Sequence, residues 1–562
     1  MGSVFFIALR RLRLPLILII LIYAISIVGL VLIPGQSSNG DIISMSFFEA
    51  FYFVSYTATT IGFGEVPNAF TNTQRLWVTF IIYSSVVGWA YLIGGLLRLA
   101  NDHAFQQAIV SARFARTVKY IRDPFYIVCG LGETGRAIVN ALDRLGIRSV
   151  VVDSQEHPLD ELHLEDLTID PPSLVGDASQ PDILISAGIL KKECRGVIIL
   201  SQNDQVNLAI SVACKFLHPT IDIICRAYAN ENAALMRQIA VTHVINPFEI
   251  FSHNLLMALL SPNTYRLVSW MTGLPGTKLQ ASLPAPPGRW IVCGYGRFGS
   301  IIVPAIKSAG YEIAVVDPDE TEIEGVDVIT GNGIEQASLQ AAGIAMSQGI
   351  VCGTDNDTDN LLIYLTSQQL NPNIFTILRQ NFASNEKLFK GSSANMVMIS
   401  RQIITSECIA IIKTPLLSRF VGLVQKQDDQ WSAQLIGRLQ ALLGDHVPEF
   451  WSLTIDQKNA PGIIGIFKNY KQSISIKELC RDIENSIEQA LILVMMIERK
   501  GEYMILPSSE TLLLENDQIL FASTPTAKAD LTHLSLNINV ARSVITGTNL
   551  LGGAVFRVFD NK

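Results

Sequence analysis

The chain has 562 residues, enough for three or more domains, and its formal net charge of −8 argues against a nucleic-acid partner. Its eight cysteines lie between Cys129 and Cys480 without paired metal-ligand spacing, which argues against a zinc site and indicates reduced thiols. Because the lipid-like composition is confined to the N-terminal region, the chain is expected to be a membrane anchor that carries a large water-soluble body.

Two uncharged apolar stretches are long enough to cross a bilayer. The first reads LPLILIILIYAISIVGLVLI over residues 14–33, and the second covers residues 77–97. The first is too long for a signal peptide and lacks a small-residue cleavage site, so we expect it to remain in the mature chain. Residues 46–59 are apolar but too short to cross, which predicts a re-entrant helix that begins at a Ser46/Glu49 capping box.

The segment after this short helix nearly spells the selectivity-filter signature of potassium channels, and its residues are Thr60, Ile61, Gly62, Phe63 and Gly64. Glycines permit the left-handed backbone angles that turn successive carbonyl oxygens toward a pore axis, where potassium ions would bind. The string departs from the common signature at Ile61, Phe63 and Glu65. Since Phe63 lacks the tyrosine hydroxyl, the packing behind the filter cannot follow the common pattern.

Basic residues cluster before the first span and after the second span. Arg10, Arg11 and Arg13 precede the first span and Arg98 follows the second, whereas residues 34–45 contain no Lys or Arg. This asymmetry predicts that both ends of the pore segment face the cytoplasm, in the inner (plasma) membrane of the cell.

An internal repeat dominates the rest of the chain. Residues 125–153 read FYIVCGLGETGRAIVNALDRLGIRSVVVD, and residues 289–317 read RWIVCGYGRFGSIIVPAIKSAGYEIAVVD. Each copy is a strand, a G-x-G-x-x-G turn, a helix and a second strand that ends in aspartate, which is the dinucleotide-binding fingerprint. Its glycines are Gly130, Gly132 and Gly135 in the first copy and Gly294, Gly296 and Gly299 in the second.

Asp153 and Asp317 stand where a carboxylate accepts hydrogen bonds from ribose hydroxyls, so NAD or an adenine nucleotide (ADP, ATP or AMP) is favoured over NADP. Arg297, inside the second turn, could reach a phosphate and favours occupancy of the second copy. In the first turn, Thr134 is a candidate ligand-binding residue, whereas Glu133 would repel a pyrophosphate unless it points away. The alternative, that a copy keeps its turn but binds nothing, stays open.

The repeat continues beyond the fingerprints. The string SQNDQVNL from Ser201 corresponds to TDNDTDNLL from Thr354, and Arg226 corresponds to Arg379. The short string that contains Asp177 corresponds to residues 330–333. Asp177 and Arg379 therefore join the candidate nucleotide-binding residues. The alternation of strands and helices predicts a parallel, doubly wound sheet in each copy.

A two-span pore followed by two such domains resembles the prokaryotic tandem-RCK (KTN/TrkA-N type) ligand-gated potassium channels. The resemblance implies an α-helical pore domain with a re-entrant pore helix and filter, two Rossmann-like α/β RCK domains in tandem and a small α+β C-terminal lobe. The expected ranges are a pore at 1–100, a linker at 101–124, RCK N-lobes at 125–247 and 289–400, crossovers at 248–288 and 401–446, a C-lobe at 447–526 and a tail at 527–562.

The resemblance also implies a homotetramer surrounded by membrane lipid, in which a cytoplasmic ring of RCK lobes pulls on the inner helix. Gly88, Gly94 and Gly95 are candidate hinges in that helix, although they could equally serve close helix packing. Leu97 lies where four inner helices would converge and could form an apolar gate, but contact with lipid or a neighbouring helix is an open alternative.

Calcium is a secondary candidate ligand, because some members of the resembled family respond to it. Asp355, Asp357 and Asp359 alternate like the start of an EF-hand loop, yet Asn360 occupies the position that requires glycine. The alternative is that these acids line the rim of the second nucleotide pocket or a solvated loop.

Two other function classes stay open. One is a Rossmann-type oxidoreductase fused to a membrane anchor, although no substrate domain with a placed His, Lys or Cys is evident. The other is an NAD-linked regulatory subunit of potassium transport, although such systems need many more than two spans. We therefore expect a channel and not an enzyme.

Overall fold

The computed structural model describes residues 2–36, 42–65, 68–273, 278–279, 285–471, 473–482 and 488–546. The chain divides into two compact units. The first contains residues 1–122 with 172–174 and 185–188, and the second contains the remainder. The last part of the expected tail, residues 547–562, lies outside the described residues.

The first unit is the expected helical pore. Its elements are the helices α1 (Gly2–Leu32), α2 (Phe47–Ala58), α3 (Asn72–Ala100) and α4 (His103–Tyr120), with the antiparallel strands β1 (Gly35–Gln36) and β2 (Ile42–Ile43). Two helical stretches, Leu9–Leu32 and Asn72–Ala100, are long and apolar enough to cross a membrane. The expected linker at 101–124 is thus largely the helix α4.

The short helix α2 begins where the sequence predicts. The Ser46 hydroxyl accepts the Glu49 backbone N–H and the Glu49 carboxylate accepts the Ser46 backbone N–H, so the capping box is complete. Ala50, Phe53 and Val54 on one face of the helix are buried in the core of the pore unit. This packing fixes α2 and the segment that follows it.

The first RCK N-lobe is a doubly wound sheet. Its strands are β3 (Phe125–Cys129), β4 (Arg148–Asp153), β5 (Ser173–Val175), β6 (Cys194–Ile199), β7 (Asp222–Arg226) and β8 (His243–Ile245). Its helices are α5 (Glu133–Arg144), α6 (His157–Leu162), α7 (Pro181–Ser186), α8 (Asp204–Leu217) and α9 (Asn230–Gln238). The strand order is β5-β4-β3-β6-β7-β8, the Rossmann order.

The helices α10 (Pro247–Leu260) and α11 (Pro262–Met271) lead to the second N-lobe, which repeats this architecture. Its strands are β9 (Arg289–Cys293), β10 (Glu312–Asp317), β11 (Asp327–Thr330), β12 (Gly349–Cys352), β13 (Phe375–Gln380) and β14 (Met396–Ile399). Its helices are α12 (Gly299–Ser308), α13 (Gln336–Ala341), α14 (Asp357–Leu370) and α15 (Glu386–Lys390). The order β11-β10-β9-β12-β13-β14 and the parallel pairing match the first lobe.

Equivalent hydrogen bonds confirm the repeat residue by residue. The Asn207 amide donates to the carbonyl oxygens of Ser201 and Arg226, and the Asn360 amide donates in the same way to Thr354 and Arg379. Two strand ends and the helix between them are therefore tied together identically in both lobes.

The C-terminal part packs on α10 and α11, the helices of the first crossover. Its helices are α16 (Ser400–Lys413), α17 (Pro415–Val424), α18 (Asp429–Leu443), α19 (Pro461–Gly465), α20 (Ile476–Leu479), α21 (Pro525–Leu536) and α22 (Ile538–Thr546). Its antiparallel sheet has the order β15-β18-β16-β17, formed by β15 (Glu449–Thr454), β16 (Ile492–Arg499), β17 (Glu502–Ile505) and β18 (Gln518–Ser523).

The expected boundary between the C-lobe and a tail at residue 527 is wrong. Helices α21 and α22 continue the C-lobe, because Leu531, Leu534, Val544 and Ile545 are buried in the same hydrophobic core as the strand residue Phe521. A separate tail would leave these apolar side chains in water.

Candidate functional site

The filter segment has the backbone that a filter needs. Thr60, Gly62 and Gly64 have φ angles of 61°, 70° and 90°, so every second residue is left-handed. An alternation of left-handed and ordinary residues turns successive carbonyl oxygens toward the same side of the chain, the arrangement that replaces the water shell of a potassium ion. A Cβ added at Gly62 or Gly64 would meet no described heavy atom within 4 Å, so backbone angle and not space requires glycine there.

Aromatic side chains of α2 hold the filter from behind. The Tyr56 hydroxyl donates a hydrogen bond of 2.7 Å to the Gly64 carbonyl oxygen. The Phe63 ring lies 5.3 Å from the Tyr56 ring and 6.4 Å from the Tyr52 ring. A tyrosine hydroxyl of α2 therefore contacts the filter backbone beside Phe63. The sequence analysis did not identify Tyr56. The one feature that could have indicated its role is the position of a tyrosine eight residues before the second filter glycine.

An ion pair between Glu65 and Arg75 lies directly after the filter segment. The Glu65 carboxylate accepts hydrogen bonds from the Arg75 guanidinium at 2.8 and 3.1 Å and from the Phe70 backbone N–H at 2.9 Å. The Arg75 guanidinium holds the pKa of the Glu65 carboxyl below its ordinary value. Glu65 therefore carries its negative charge at neutral pH, directly after the filter.

The candidate hinge glycines differ in their surroundings. A Cβ at Gly88 would lie 2.8 Å from the Ile22 side chain, and one at Gly95 would lie 3.1 Å from the Pro15 side chain. Both glycines therefore permit close packing of α3 against α1. A Cβ at Gly94 would meet no described heavy atom within 4 Å, so Gly94 stays the better hinge candidate. Leu97 is 61% exposed in the single chain, and its role as a gate stays a prediction.

A cavity of about 740 Å³ in the second unit is lined by residues of both N-lobes. The first lobe contributes its glycine turn, including Gly130, Gly132 and Thr134, together with Asp153 and Asp177. The second lobe contributes Arg297, Asp355 and Arg379, and the helix α16 contributes Arg401. Three candidate residues of the second copy thus line the cavity at the first copy's turn, whereas its glycines and Asp317 do not.

The six fingerprint glycines serve the purposes that nucleotide binding requires. Gly130 and Gly294 have φ angles of 96° and 93°, which a tight turn demands. A Cβ at Gly132 or Gly296 would meet no described heavy atom within 4 Å, which leaves room for a phosphate to approach the backbone. A Cβ at Gly135 or Gly299 would collide with the carbonyl oxygen of the first glycine of its turn, so only glycine lets helix and strand pack.

The two ribose candidates are not equally available. The Asp153 carboxylate accepts the N–H groups of Leu131 at 2.5 Å and Gln155 at 2.8 Å, but it still lines the cavity. The Asp317 carboxylate accepts Tyr295 at 2.6 Å and two further amides, and the residue is only 9% exposed. Both aspartates therefore hold their own glycine turn, and Asp153 has the better access to a ligand.

Three further residues of the first lobe face the same cavity. The Asp177 carboxylate accepts the hydroxyl and backbone N–H of Ser179, and these bonds lower its pKa. The Glu133 carboxylate accepts the backbone N–H of Ala383 in the second lobe, at 3.1 and 3.2 Å. Glu133 is thus hydrogen-bonded to the second lobe, but it still lines the cavity. Arg226, identified in the sequence only by the repeat, is buried and lines the cavity.

Arg297 does not serve a site at its own turn. Its guanidinium lies 5.6 Å from the Tyr228 ring of the first lobe and 3.7 Å from the Asp355 carboxylate, at the first lobe's cavity. The Arg297 side chain thus contributes to the cavity at the first copy's turn, and occupancy of the second copy stays a prediction.

The three aspartates of the calcium hypothesis do not form a group that could hold a metal ion among the described residues, so calcium binding there stays a prediction. Asp355 pairs with Arg379 at 2.8 Å, and the buried Asp357 accepts the backbone N–H groups of Asn381 and Phe382. Among the described residues, no group of three His, Cys, Asp or Glu side chains is arranged to hold a metal ion, and Asp359 belongs to no such group either. The carboxylates of Asp355 and Asp357 are therefore directed to different partners.

Comparison with known families agrees with this layout. Residues 16–101 match the ion channel domain, and residues 126–247 and 290–400 each match the TrkA-N domain. Potassium channel protein 1 of Methanocaldococcus jannaschii is 30% identical over 219 residues, which are 39% of this chain and 61% of that protein. Probable potassium channel protein 2 of the same organism is 25% identical over 207 residues, 37% of this chain and 59% of that protein.

The chain thus spans less than two thirds of the length of these relatives. Among solved structures, one described as the GsuK channel aligns with a TM-score of 0.46 and 15% identity, covering 95% of this chain and 99% of that chain. One described as the GsuK channel bound to NAD aligns with a TM-score of 0.44 and 14% identity, covering 94% and 99%.

Proposed function

We propose that this chain, which belongs to the family that joins a two-span ion-channel pore to tandem TrkA-N (RCK) domains, forms a potassium-selective channel gated by cytoplasmic nucleotides. The observation that carries the proposal is the alternation of left-handed residues at Thr60, Gly62 and Gly64 between two membrane-length helices. One chain supplies one row of carbonyl oxygens, and four rows are needed to surround an ion, so the active form is a homotetramer.

The filter function is tested with purified chain in planar lipid bilayers. With potassium and sodium on opposite sides, the reversal potential should follow the potassium gradient. Equal permeability to sodium would refute the proposed selectivity. Current from the purified chain alone also separates a channel from a regulatory subunit, because the subunit needs a separate transport protein.

The nucleotide function rests on the cavity at the first glycine turn. Helix α5 begins directly after Gly132, so its free N–H groups and its dipole favour an anionic phosphate at the cavity. Asp153 accepts the ribose hydroxyls, which favours NAD or an adenine nucleotide with an unmodified ribose. Calorimetric titration of the full-length tetramer with NAD, ADP, ATP and AMP tests this assignment.

Arg10, Arg11 and Arg13 lie at the start of the first membrane-length helix and Arg98 lies near the end of the second, so both ends and the RCK domains are cytoplasmic and the pore is surrounded by the lipid of the plasma membrane. A ligand opens such a pore only as far as it binds the open form more tightly than the closed form. The helix α4 is the connector between the inner helix and the first RCK strand, and it transmits that difference.

An oxidoreductase is the second candidate, since this fold also hosts dehydrogenases. Burial raises the pKa of Cys129, Cys293 and Cys352, so these thiols near the turns are not nucleophiles at neutral pH. Absence of hydride transfer from NADH to a panel of carbonyl substrates, under conditions where NADH binds, would support the sensor over the enzyme.

A further inference from the structure

A carboxylate of this chain lies among the cavity's arginines, where an anionic ligand would bind. Asp355 Oδ1 is 2.8 Å from Arg379 Nη2, and Asp355 Oδ2 is 3.7 Å from Arg297 Nη2. The three residues come from the loop after β12, from β13 and from the glycine turn after β9. All three line the cavity that contains the first glycine turn.

Arg379 is a buried cation with spare hydrogen-bonding capacity. Its side chain is 6% exposed, and its guanidinium lies 4.9 Å from the Phe248 ring and 5.4 Å from the Phe298 ring. One Nη donates to the Gly353 carbonyl oxygen at 3.2 Å, while the buried Nε has no partner among the described residues. A buried guanidinium needs an anion, and burial lowers the pKa of Arg379 from its ordinary value.

Asp355, the carboxylate that pairs with Arg379, can be replaced by another anion. The Asp355 side chain is 62% exposed, so it returns to water at little cost, and the Arg297 side chain is 57% exposed. The buried Arg379 guanidinium, in contrast, needs another anion as soon as Asp355 leaves. A more highly charged anion that reaches Arg379 can therefore displace Asp355.

The other copy of the repeat lacks this carboxylate. Gln202 occupies the position equivalent to Asp355, and Arg226 is equivalent to Arg379. Arg226 donates to the Leu200 carbonyl oxygen at 2.6 Å, and its buried Nε also has no described partner. Since the fold builds the arginine in both copies but the acid in only one, the fold itself does not require Asp355.

We propose that Asp355 is an internal counter-ion that occupies a phosphate subsite formed by Arg297 and Arg379. The inference rests on the proposed nucleotide function and names its ligand class, a nucleotide that carries a chain of phosphates. The first phosphate lies at the Gly132 turn, and the terminal phosphate displaces Asp355 and binds the two arginines of the second lobe. The cavity thereby distinguishes nucleoside triphosphates and diphosphates from monophosphates.

The test is calorimetric titration of the full-length tetramer with ATP, ADP and AMP at one salt concentration. In Asp355→Asn the affinity for ATP should rise about tenfold relative to that for AMP, because a like charge beside the terminal phosphate is gone. Asp359→Asn is the matched control, since it removes the same charge in the first turn of α14 and should leave the ratio unchanged.

Arg297→Gln supplies a second variant, because this exposed side chain has little part in folding, and it should reduce the ratio of ATP to AMP affinity. An equal change for all three nucleotides in Asp355→Asn, or an unchanged ratio, would overturn the subsite while leaving the nucleotide site in place. If the parent protein binds none of the three nucleotides, the proposed nucleotide function fails and the subsite fails with it.

Discussion

The Tyr56 hydroxyl donates its hydrogen bond to the carbonyl oxygen of Gly64, at 2.7 Å, from the helix behind the filter. Gly64 is left-handed, and no described side chain packs where its Cβ would be, so few other contacts oppose rotation of its peptide. The bond therefore fixes the outermost glycine of the filter.

Tyr56→Phe should leave the tetramer folded but make conduction unstable. The variant loses one hydrogen bond per chain, about 0.5–1.5 kcal/mol, which is enough to populate rotated states of the Gly64 peptide. Single-channel recordings should show shorter openings and a lower ratio of potassium to sodium permeability. Tyr52→Phe is the matched control, because the Tyr52 ring also contacts Phe63 but the bond from Tyr56 to Gly64 stays intact. Equal behaviour of the two variants would show that the bond is not needed.

Gly62→Ala should abolish conduction without preventing assembly. Alanine at a φ of 70° costs about 1–2 kcal/mol in each chain, so the filter relaxes to another backbone. The measurement is current in bilayers combined with the elution volume of the tetramer. Gly437→Ala, in the helix α18, is the control, since the added Cβ meets no described atom within 4 Å there either. A conducting Gly62→Ala channel would contradict the filter assignment.

Asp153→Ala should weaken nucleotide binding by about 1–3 kcal/mol, because the ribose hydroxyls lose their acceptor. Asp317→Ala should change binding less, since Asp317 is nearly buried against the amides of its own turn, and it should mainly lower thermal stability. Calorimetry and melting temperatures of both variants separate the two effects. Unchanged affinity in both single variants and in the double variant would rule out the pocket assignment.

A flexible Gly/Ser stretch inserted after Ala112, within α4, should uncouple the pore from its ligand. The filter and the nucleotide affinity stay intact, whereas a flexible chain transmits no tension from the RCK domains. The measurement is open probability against nucleotide concentration. The same stretch appended after Lys562 is the control. If the channel lengthened at Ala112 responds like the parent, the RCK domains must act on the pore by another route.

The eight cysteines should resist thiol reagents in the folded protein, because all are free and buried. Burial raises the pKa of Cys194, Cys214 and Cys225 to about 12, so below that pH these thiols keep their protons. Mass spectrometry after maleimide treatment at neutral pH should find no label in the native protein and complete labelling in denaturant. Rapid labelling of the native protein would show that one of the lobes opens and exposes its thiols.

The capping box, the two spans, the repeat and the roles of its glycines could be predicted from the sequence because they depend on local periodicity and backbone angles. The fingerprint of each copy lies within about 30 consecutive residues, the length of one strand-helix-strand unit. Gly130 and Gly294 are needed by their turns wherever the rest of the chain lies. The capping box at Ser46 and Glu49 is equally local, and it was confirmed in the structure.

Only the tertiary structure showed that the cavity lies at the glycine turn of the first copy, and which partner each acidic side chain has. Arg297 and Asp355 look like parts of a second nucleotide or calcium site in the sequence, but the packing of one lobe on the other brings them to the first copy's turn. Tyr56 reaches Gly64 only because α2 stands behind the filter. These relationships join residues from different elements, and side-chain direction at such junctions is set by packing, which no local pattern records.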